Sequence, residues 1–367
     1  MELLNLLRPY LNYFRFFGIC LQCPGMKFYT KFYSYGMAIL CVLQAVLLAP
    51  TMYFVMEPSS GQDIINFMLG IGIFFTHIVI VLETLLTKNS QLDFWYLLKK
   101  LERLYRNNFN DIEESYRELM ISVRRKIWII SVISCTIEAL TIVSLVIVGK
   151  FDTENNASQY VWFLTLYSTK AVRTKHMSYI VAVDVLKMHV ALFNKVLHRR
   201  KVDFRTMVKE DIVKELNLIK FRHTFIWELC RSINICHLWS QFTNIVVDFF
   251  HITCFCYNCY VQIVHTSYYQ LLFTLLSGIP LPCLLFILML ACDELQTIAT
   301  KSQNGVQNIL HMNTNDHFTK NCIIDLSLQL HHEKISIAFG RLFTLNIAFF
   351  TTVKIILSDS YRKTLFL

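Results

Sequence analysis

The chain has 367 residues, of which 54% are hydrophobic and 17% are charged. Soluble globular proteins average about 45–50% apolar and about 25% charged residues, so this composition excludes a disordered protein and argues against a water-soluble enzyme. The formal net charge is +9, but the basic residues lie between long apolar runs, where they indicate membrane orientation rather than a nucleic-acid partner. The remaining class is an integral membrane protein.

Seven membrane-spanning helices are predicted from apolar stretches of about 20 residues. In chain order they are 32–56, 64–87, 127–149, 160–186, 240–264, 271–292 and 335–357. The fourth is the weakest, because Lys170, Arg173 and Lys175 lie in its middle. The segment before the first span is interpreted as a cytoplasmic amphipathic helix rather than a signal peptide. With only 10 Gly and 6 Pro, the whole chain, 1–367, is expected to be a single all-α membrane domain.

The basic residues predict the orientation of these spans. The N-terminal segment and the loops 88–126, 187–239 and 293–334 hold 27 Lys and Arg, whereas the alternate loops and the tail hold 3. Because basic loops stay in the cytoplasm, the N-terminus is predicted inside and the C-terminus outside. Asn156 begins a glycosylation sequon in a predicted outer loop. The fourth to sixth spans are expected to extend into the cytosol as amphipathic helices that form a packed layer.

Several other functional classes lack their sequence signals. A G-protein-coupled receptor would have an outer N-terminus, Asp/Glu-Arg-Tyr after its third span and Asn-Pro-x-x-Tyr in its seventh, and neither string is present. A secondary transporter would show two related halves with paired interrupted helices. There is no phosphate loop, nucleophile elbow or Cys/His set with metal spacing. The sequence therefore predicts no enzymatic activity, no cofactor, no metal and no nucleic-acid partner.

Two acidic residues lie in the middle of predicted spans, Glu138 in the third and Asp248 in the fifth. A charge inside a membrane should face a partner or water. Either acid could contact a ligand or permeating ions, or it could pair with Lys170 or Arg173 of the fourth span. Acid and base lie at similar inferred depths, which favours the pairing.

Aromatic and amide side chains cluster at the predicted outer ends of the fourth to sixth spans. They are Tyr160, Trp162, Tyr167, Tyr257, Tyr260, Gln262 and Tyr269. Aromatic walls with a few polar groups suit sugars and small organic ligands, so these residues and Glu138 form a candidate ligand pocket. The alternative is a belt of Tyr and Trp at the membrane interface.

The C-terminal region contains the most informative motif. Residues 328–330 read Leu-Gln-Leu, and residues 339–346 read Phe-Gly-Arg-Leu-Phe-Thr-Leu-Asn. This pattern resembles the C-terminal signature of the insect gustatory receptor family, in which Leu-Gln-Leu precedes Gly-Leu-Phe-x-Leu-Asn/Asp; here Arg341 intrudes. Ser360 and Tyr361 stand near the family's Thr-Tyr, but the hydrophobic run and Gln-Phe that should follow are replaced by Arg-Lys-Thr-Leu-Phe-Leu.

The resemblance implies a ligand-gated cation channel in the plasma membrane of a sensory neuron, built as a homo- or heterotetramer and opened by a small external tastant. It also implies that the last helix of each subunit lines the pore, with Asn346, Ser360 and Tyr361 at the pore and gate positions, and that the cytoplasmic helices anchor the tetramer. A non-conducting accessory subunit of the same family is the alternative that the changed C-terminus leaves open.

Overall fold

The computed structural model describes residues 3–19, 27–56, 61–108, 112–151, 156–204, 207–264, 268–310, 317–339 and 343–344. Over these residues the protein is almost entirely helical, as the composition predicts. The helices are α1 Leu3–Phe16, α2 Phe28–Met56, α3 Gly61–Leu86, α4 Lys88–Asn108, α5 Ile112–Phe151, α6 Asn156–Asp203, α7 Lys209–Val264, α8 Tyr268–Gly278, α9 Pro280–Leu310 and α10 His317–His332.

The first six predicted spans overlap helices of the structure, some of which are much longer than the span. Spans one to five lie in α2, α3, α5, α6 and α7, and span six is divided between α8 and α9. Among the described residues, four helical stretches are long and apolar enough to cross a membrane: Phe28–Leu48, Phe67–Leu86, Tyr116–Ser144 and Gln270–Ile309. Spans four and five carry more charged and polar residues and remain predictions.

The predicted seventh span, 335–357, lies mostly outside the described residues, and its described beginning is not helical. The strands β1 Ala338–Phe339 and β2 Phe343–Thr344 pair antiparallel instead. The prediction of a helix from Ile335 is therefore wrong over these residues. The side chain of Asn234 explains the difference. It donates to the Ser336 carbonyl at 3.1 Å and accepts from the Ala338 amide at 3.4 Å, so it bonds backbone groups that a helix would pair internally.

Helices α6 and α7 are much longer than a membrane is thick. At about 1.5 Å per residue, their 48 and 56 residues span about 72 and about 84 Å, against about 30 Å of hydrocarbon. Beyond the predicted spans they pack with α4, α9 and α10. The buried side chains there include Phe193, Leu216, Leu229, Leu295 and Leu326. These helices pack together beyond the predicted spans, and a cytosolic anchor layer remains a prediction.

Helix α1 is amphipathic, as predicted, and its last residue contacts the predicted fourth span. Leu7, Leu11 and Phe14 are buried along one face of the helix. At its last residue, the Phe16 carbonyl accepts a hydrogen bond at 2.9 Å from the hydroxyl of Tyr167, which belongs to the predicted fourth span. Gly18, with φ +70°, lets the chain turn here in a conformation that other residues rarely adopt.

Candidate functional site

The predicted sixth span has a one-residue interruption at Ile279, between α8 and α9. Helical hydrogen bonds continue on both sides of it, from the Ile279 amide to the Leu275 carbonyl at 3.1 Å and from the Cys283 amide to the Ile279 carbonyl at 3.2 Å. Proline has no backbone N–H. Pro280 and Pro282 therefore leave the carbonyls of Leu276 and Gly278 without the donors that a continuous helix would supply. In a membrane, such an interruption is stable only where other groups bond the freed backbone atoms.

Side chains of two neighbouring helices reach this interruption. The Thr141 hydroxyl of α5 lies 3.4 Å from the Leu276 carbonyl, and the Arg173 guanidinium of α6 donates to the Ser277 carbonyl at 2.6 Å. The end of a helix carries unpaired carbonyls and a partial negative charge, which a buried cation stabilises. Arg173 therefore adds a charge-assisted hydrogen bond to the carbonyl that lies between the two carbonyls freed by the prolines, and this bond gives a partner to the cation buried at this point of α6.

Helices α7 and α8 approach each other closely beside the interruption. A Cβ atom built on Gly278 would lie 2.1 Å from the Phe255 ring of α7, so only glycine fits here. Nearer the start of α8, the Gln262 amide donates to the Thr274 hydroxyl at 2.8 Å. Gln262, one of the predicted pocket residues, thus faces α8 beside the interruption.

Glu138 and Lys170 form an ion pair between α5 and α6. Their side chains are only 16% and 14% exposed. Ser134 lies between them, donating to Glu138 at 3.5 Å and accepting from Lys170 at 3.4 Å. Of the two interpretations offered for Glu138, the structure supports pairing with a base of the fourth span.

Asp248 has a different partner from those predicted. Its Oδ2 atom lies 2.9 Å from Nε2 of His176, and both side chains are fully buried. Arg173 is close enough to act electrostatically on Asp248 and on Glu138. One turn of α6 thus brings a cation and an imidazole towards the two buried acids.

The predicted aromatic residues do not converge on one pocket in the described structure. Tyr167 contacts α1, and its hydroxyl lies 3.2 Å from the Cys41 thiol. Tyr257 and Tyr260 are 43% and 67% exposed on the outside of the bundle, as expected of an interfacial belt. Asn156, Tyr160 and Trp162 belong to α6 and Tyr269 to α8, but their side chains lie outside the described part. Asn346, Ser360 and Tyr361 lie outside the described residues altogether.

Two groups of buried and half-buried polar residues were not recognised as groups from the sequence, although Asp248 and Gln262 were singled out individually. The first is a row along α7, comprising His237, Gln241, Asn244, Asp248, His251, Asn258 and Gln262. The sequence carried a signal of this row, because polar residues three or four apart share one helix face.

Among the described residues, no group of three or more His, Cys, Asp or Glu side chains is arranged to hold a metal ion.

The second group surrounds Glu83, which lies four residues before the end of the predicted second span. Its side chain is buried and accepts hydrogen bonds from the Trp239 amide at 2.6 Å and from the Ser240 hydroxyl. Lys175 lies 3.4 Å away. This cluster joins α3, α6 and α7 at the predicted inner side of the membrane.

Comparison with known proteins identifies the family. The insect olfactory receptor OR5 from Machilis hrabei has a similar structure, with a TM-score of 0.71 and 12% sequence identity over 98% of this chain and 97% of that chain. The same receptor in complex with eugenol gives a TM-score of 0.63 and 12% identity over 99% and 98%. No curated protein sequence matches the chain significantly. At this identity the likeness shows the fold alone, but the family model of the 7tm chemosensory receptors matches residues 7–354. The chain therefore belongs to the 7tm chemosensory receptor family.

Proposed function

We propose that the chain is a subunit of a gustatory-type receptor channel, which a small external ligand opens to cations. Family membership supports the receptor role, and the similar olfactory receptor has been solved in complex with eugenol, a small molecule. The gustatory assignment rests on the C-terminal motif around Asn346. The observation that carries the mechanism is the interruption of the sixth span at Ile279, beside which Arg173 donates to the Ser277 carbonyl.

The ligand site lies beside this interruption, between α5, α6 and α8. Lys170, Glu138 and Arg173 supply buried charged groups there, and Gln262 and Thr274 supply neutral ones. A few convergent polar groups among apolar helices are typical of small-molecule sites. Tyr160, Trp162 and Tyr269 belong to the helix ends nearest this region and are proposed as its outer wall.

The interruption also gives ligand binding a mechanical effect. A ligand that competes for Arg173 weakens its bond to the Ser277 carbonyl, and α8 and α9 can then change their relative angle. Helix α9 runs on into the packed layer and contacts α10, which leads directly to the C-terminal segment. A ligand shifts such an equilibrium only by binding one arrangement better than the other.

An exposed apolar surface supports assembly into a tetramer. Phe318, Ile324 and Leu328 of α10 are 56%, 36% and 52% exposed. Helix α10 lies in the predicted cytosolic layer, where lipid cannot cover these side chains. We therefore propose that they are buried against neighbouring subunits. The proposed location is the plasma membrane of a sensory neuron, with lipid around the bundle.

The test is a recording of ligand-evoked current from cells that express the full chain. A panel of sugars, bitter compounds and small aromatic alcohols is applied to the chain alone and to the chain with a second family member. Cation current from the chain alone is the expected result. Current only in the presence of the second member would favour the accessory subunit, and no current in either case, with the chain at the cell surface, would contradict the channel function.

A further inference from the structure

A cavity of about 90 Å³ lies between α1, α4, α6 and α7, at the predicted inner side of the membrane. Most of the side chains that line it are apolar, among them Leu11, Phe14, Trp95, Val185 and Ile233. Each of these five is at most 9% exposed, so the cavity reaches into the core of the bundle. It is half open, so a molecule can enter it without unfolding the protein.

The wall of this cavity suits an apolar molecule better than water. A buried water molecule needs two to four polar partners, whereas cavities lined by Leu, Ile and Phe stay dry and bind molecules such as benzene. Several polar side chains of the wall already have protein partners. Lys175 lies 3.4 Å from Glu83, Ser178 donates to the Lys175 carbonyl at 2.8 Å, and Gln91 donates to the Thr84 carbonyl at 3.2 Å.

His237 of α7 also lines the cavity and offers a hydrogen bond to a ligand. Its Nδ1 atom is buried and has no protein hydrogen-bond partner within the described part of the chain. The ring packs against Tyr179, with 4.8 Å between the ring centres. Burial and the charge of Lys175 lower the pKa of His237, so the imidazole is neutral and Nδ1 donates or accepts according to the tautomer. A hydroxyl group both donates and accepts, so it suits Nδ1 in either tautomer.

The charge and the size of the cavity restrict the ligand further. Lys175 and Glu83 form an ion pair in which the side chains are only 1% and 2% exposed. An ionic ligand would bring an additional charge next to this buried pair, and an uncompensated charge is far more costly to bury than a neutral group. A cavity of about 150 Å³ holds benzene, so this smaller one holds a molecule, or part of one, with only a few heavy atoms.

We propose that this cavity is a second ligand site, which binds a small neutral alcohol with its hydroxyl group at Nδ1 of His237 and its apolar chain against α1 and α6. The site lies on the predicted inner side of the membrane, separate from the proposed outer ligand site beside Ile279. A bound alcohol contacts α1 together with three later helices. It therefore stabilises the attachment of α1 to the rest of the bundle.

The test uses the purified full chain in detergent and a diazirine derivative of 1-butanol, which light cross-links to its site and mass spectrometry locates. Label is expected on the cavity wall, in residues 7–14 of α1 or 232–237 of α7. 1-Butanol at about ten times its Kd should reduce this labelling about tenfold, by mass action. Butylammonium, which has a charged group in place of the hydroxyl, should not reduce it. Label found only on exposed side chains of α5, such as Trp128 and Val143, would overturn the proposal, and so would equal competition by butylammonium.

His237→Phe tests the hydrogen bond, because it keeps an aromatic ring and removes Nδ1. Competition by 1-butanol should become about twofold to tenfold weaker, which is the range that one net hydrogen bond supplies. n-Pentane, which has a methyl group in place of the hydroxyl, should compete equally well with the label in wild type and in His237→Phe. Unchanged competition by 1-butanol in this variant would overturn the proposal.

Ala182→Leu tests the cavity itself, because Ala182 lines it and the larger side chain fills it. Labelling of the cavity wall should be lost. Ala191→Leu is the matched control, since Ala191 is also a half-buried alanine of α6 but does not line the cavity, and it should keep the wild-type labelling. A folded Ala182→Leu variant that is labelled like wild type would overturn the proposal. The competition experiments on the wild-type chain need no substitution, so they decide the outcome if Ala182→Leu does not fold.

Discussion

At the scale of single residues, buried charges are tolerated here because their partners come from neighbouring helices. An isolated charge in the middle of a span costs about 2.5–3.5 kcal/mol on insertion scales. Lys170 of α6 and Glu138 of α5 offset this cost by pairing with each other, and Ser134 forms a hydrogen bond with each of them. Removing one partner leaves the other unpaired, which is worse than removing both.

Glu138→Gln is therefore expected to destabilise the protein by about 1–3 kcal/mol, discounted from the fully buried case because both side chains are partly exposed. Lys170→Met should have a similar effect. The double variant Glu138→Gln/Lys170→Met should recover most of the loss, because it removes both charges. Thermal unfolding in detergent measures the stability of all three variants. A double variant whose loss of stability equals the sum of the two single losses would contradict the pairing.

The partners of the buried acids were only partly predictable from the sequence. For Glu138, the similar inferred depths of Glu138 and Lys170 in the membrane were sufficient to predict their ion pair. For Asp248, the sequence offered Lys170 and Arg173, whereas the structure selects His176. Arg173 and His176 are one turn apart and face the same neighbours, so the choice depends on a small rotation of α6 that only packing determines.

At the scale of helices, hydropathy marked stretches that lie in helices of the structure, and where the chain crosses the membrane remains a prediction. It did not predict the interruption of the sixth span, because mean hydropathy ignores the missing N–H groups of Pro280 and Pro282. Nor did it predict the strand pair after α10, where Asn234 takes up the backbone groups of the segment. The polar row on α7 was visible in the spacing of the residues, but the depth of each side chain was not.

Gly278→Ala tests the close approach of α7 and α8. Its Cβ would lie 2.1 Å from the Phe255 ring, and forcing such an overlap costs about 1–3 kcal/mol. Gly36→Ala is the matched control, since no atom lies within 4 Å of its Cβ and alanine favours a helix by up to about 1 kcal/mol. Thermal stability should fall only for Gly278→Ala, and Phe255→Leu should restore it. Equal stability of the two alanine variants would contradict the observed contact.

At the scale of the whole molecule, aromatic and charged side chains hold the packed layer together. The ring of His189 on α6 stacks on Tyr105 of α4 at 5.9 Å, and the Arg222 guanidinium of α7 lies 5.4 Å from the same Tyr105 ring. Complete burial lowers the pKa of His189 to about 3. The layer is therefore built around a neutral imidazole.

Acid is expected to destabilise this layer. Between about pH 6.5, the usual His pKa, and pH 3, the unfolded chain binds a proton at His189 that the folded chain does not, so stability falls as the pH falls. At pH 5 the loss from this residue is about 2 kcal/mol. Melting temperatures at pH 7 and pH 5 should therefore differ less for His189→Phe than for wild type. His198→Gln, an exposed change on the same helix, should keep the wild-type difference. An unchanged pH dependence in His189→Phe would contradict the assignment.

The insertion of α1 among helices that follow much later in the chain has a consequence for biosynthesis. Phe16 and Tyr167 are 151 residues apart, and ribosomes add about 5–20 residues per second, so about 8–30 s separate the synthesis of the two. Throughout that interval Leu7, Leu11 and Phe14 have no partner from α6. A nascent chain stalled before Tyr167 would therefore expose the apolar face of its N-terminal helix to chaperones. Such a chain should be degraded faster than a chain stalled after α6 is complete.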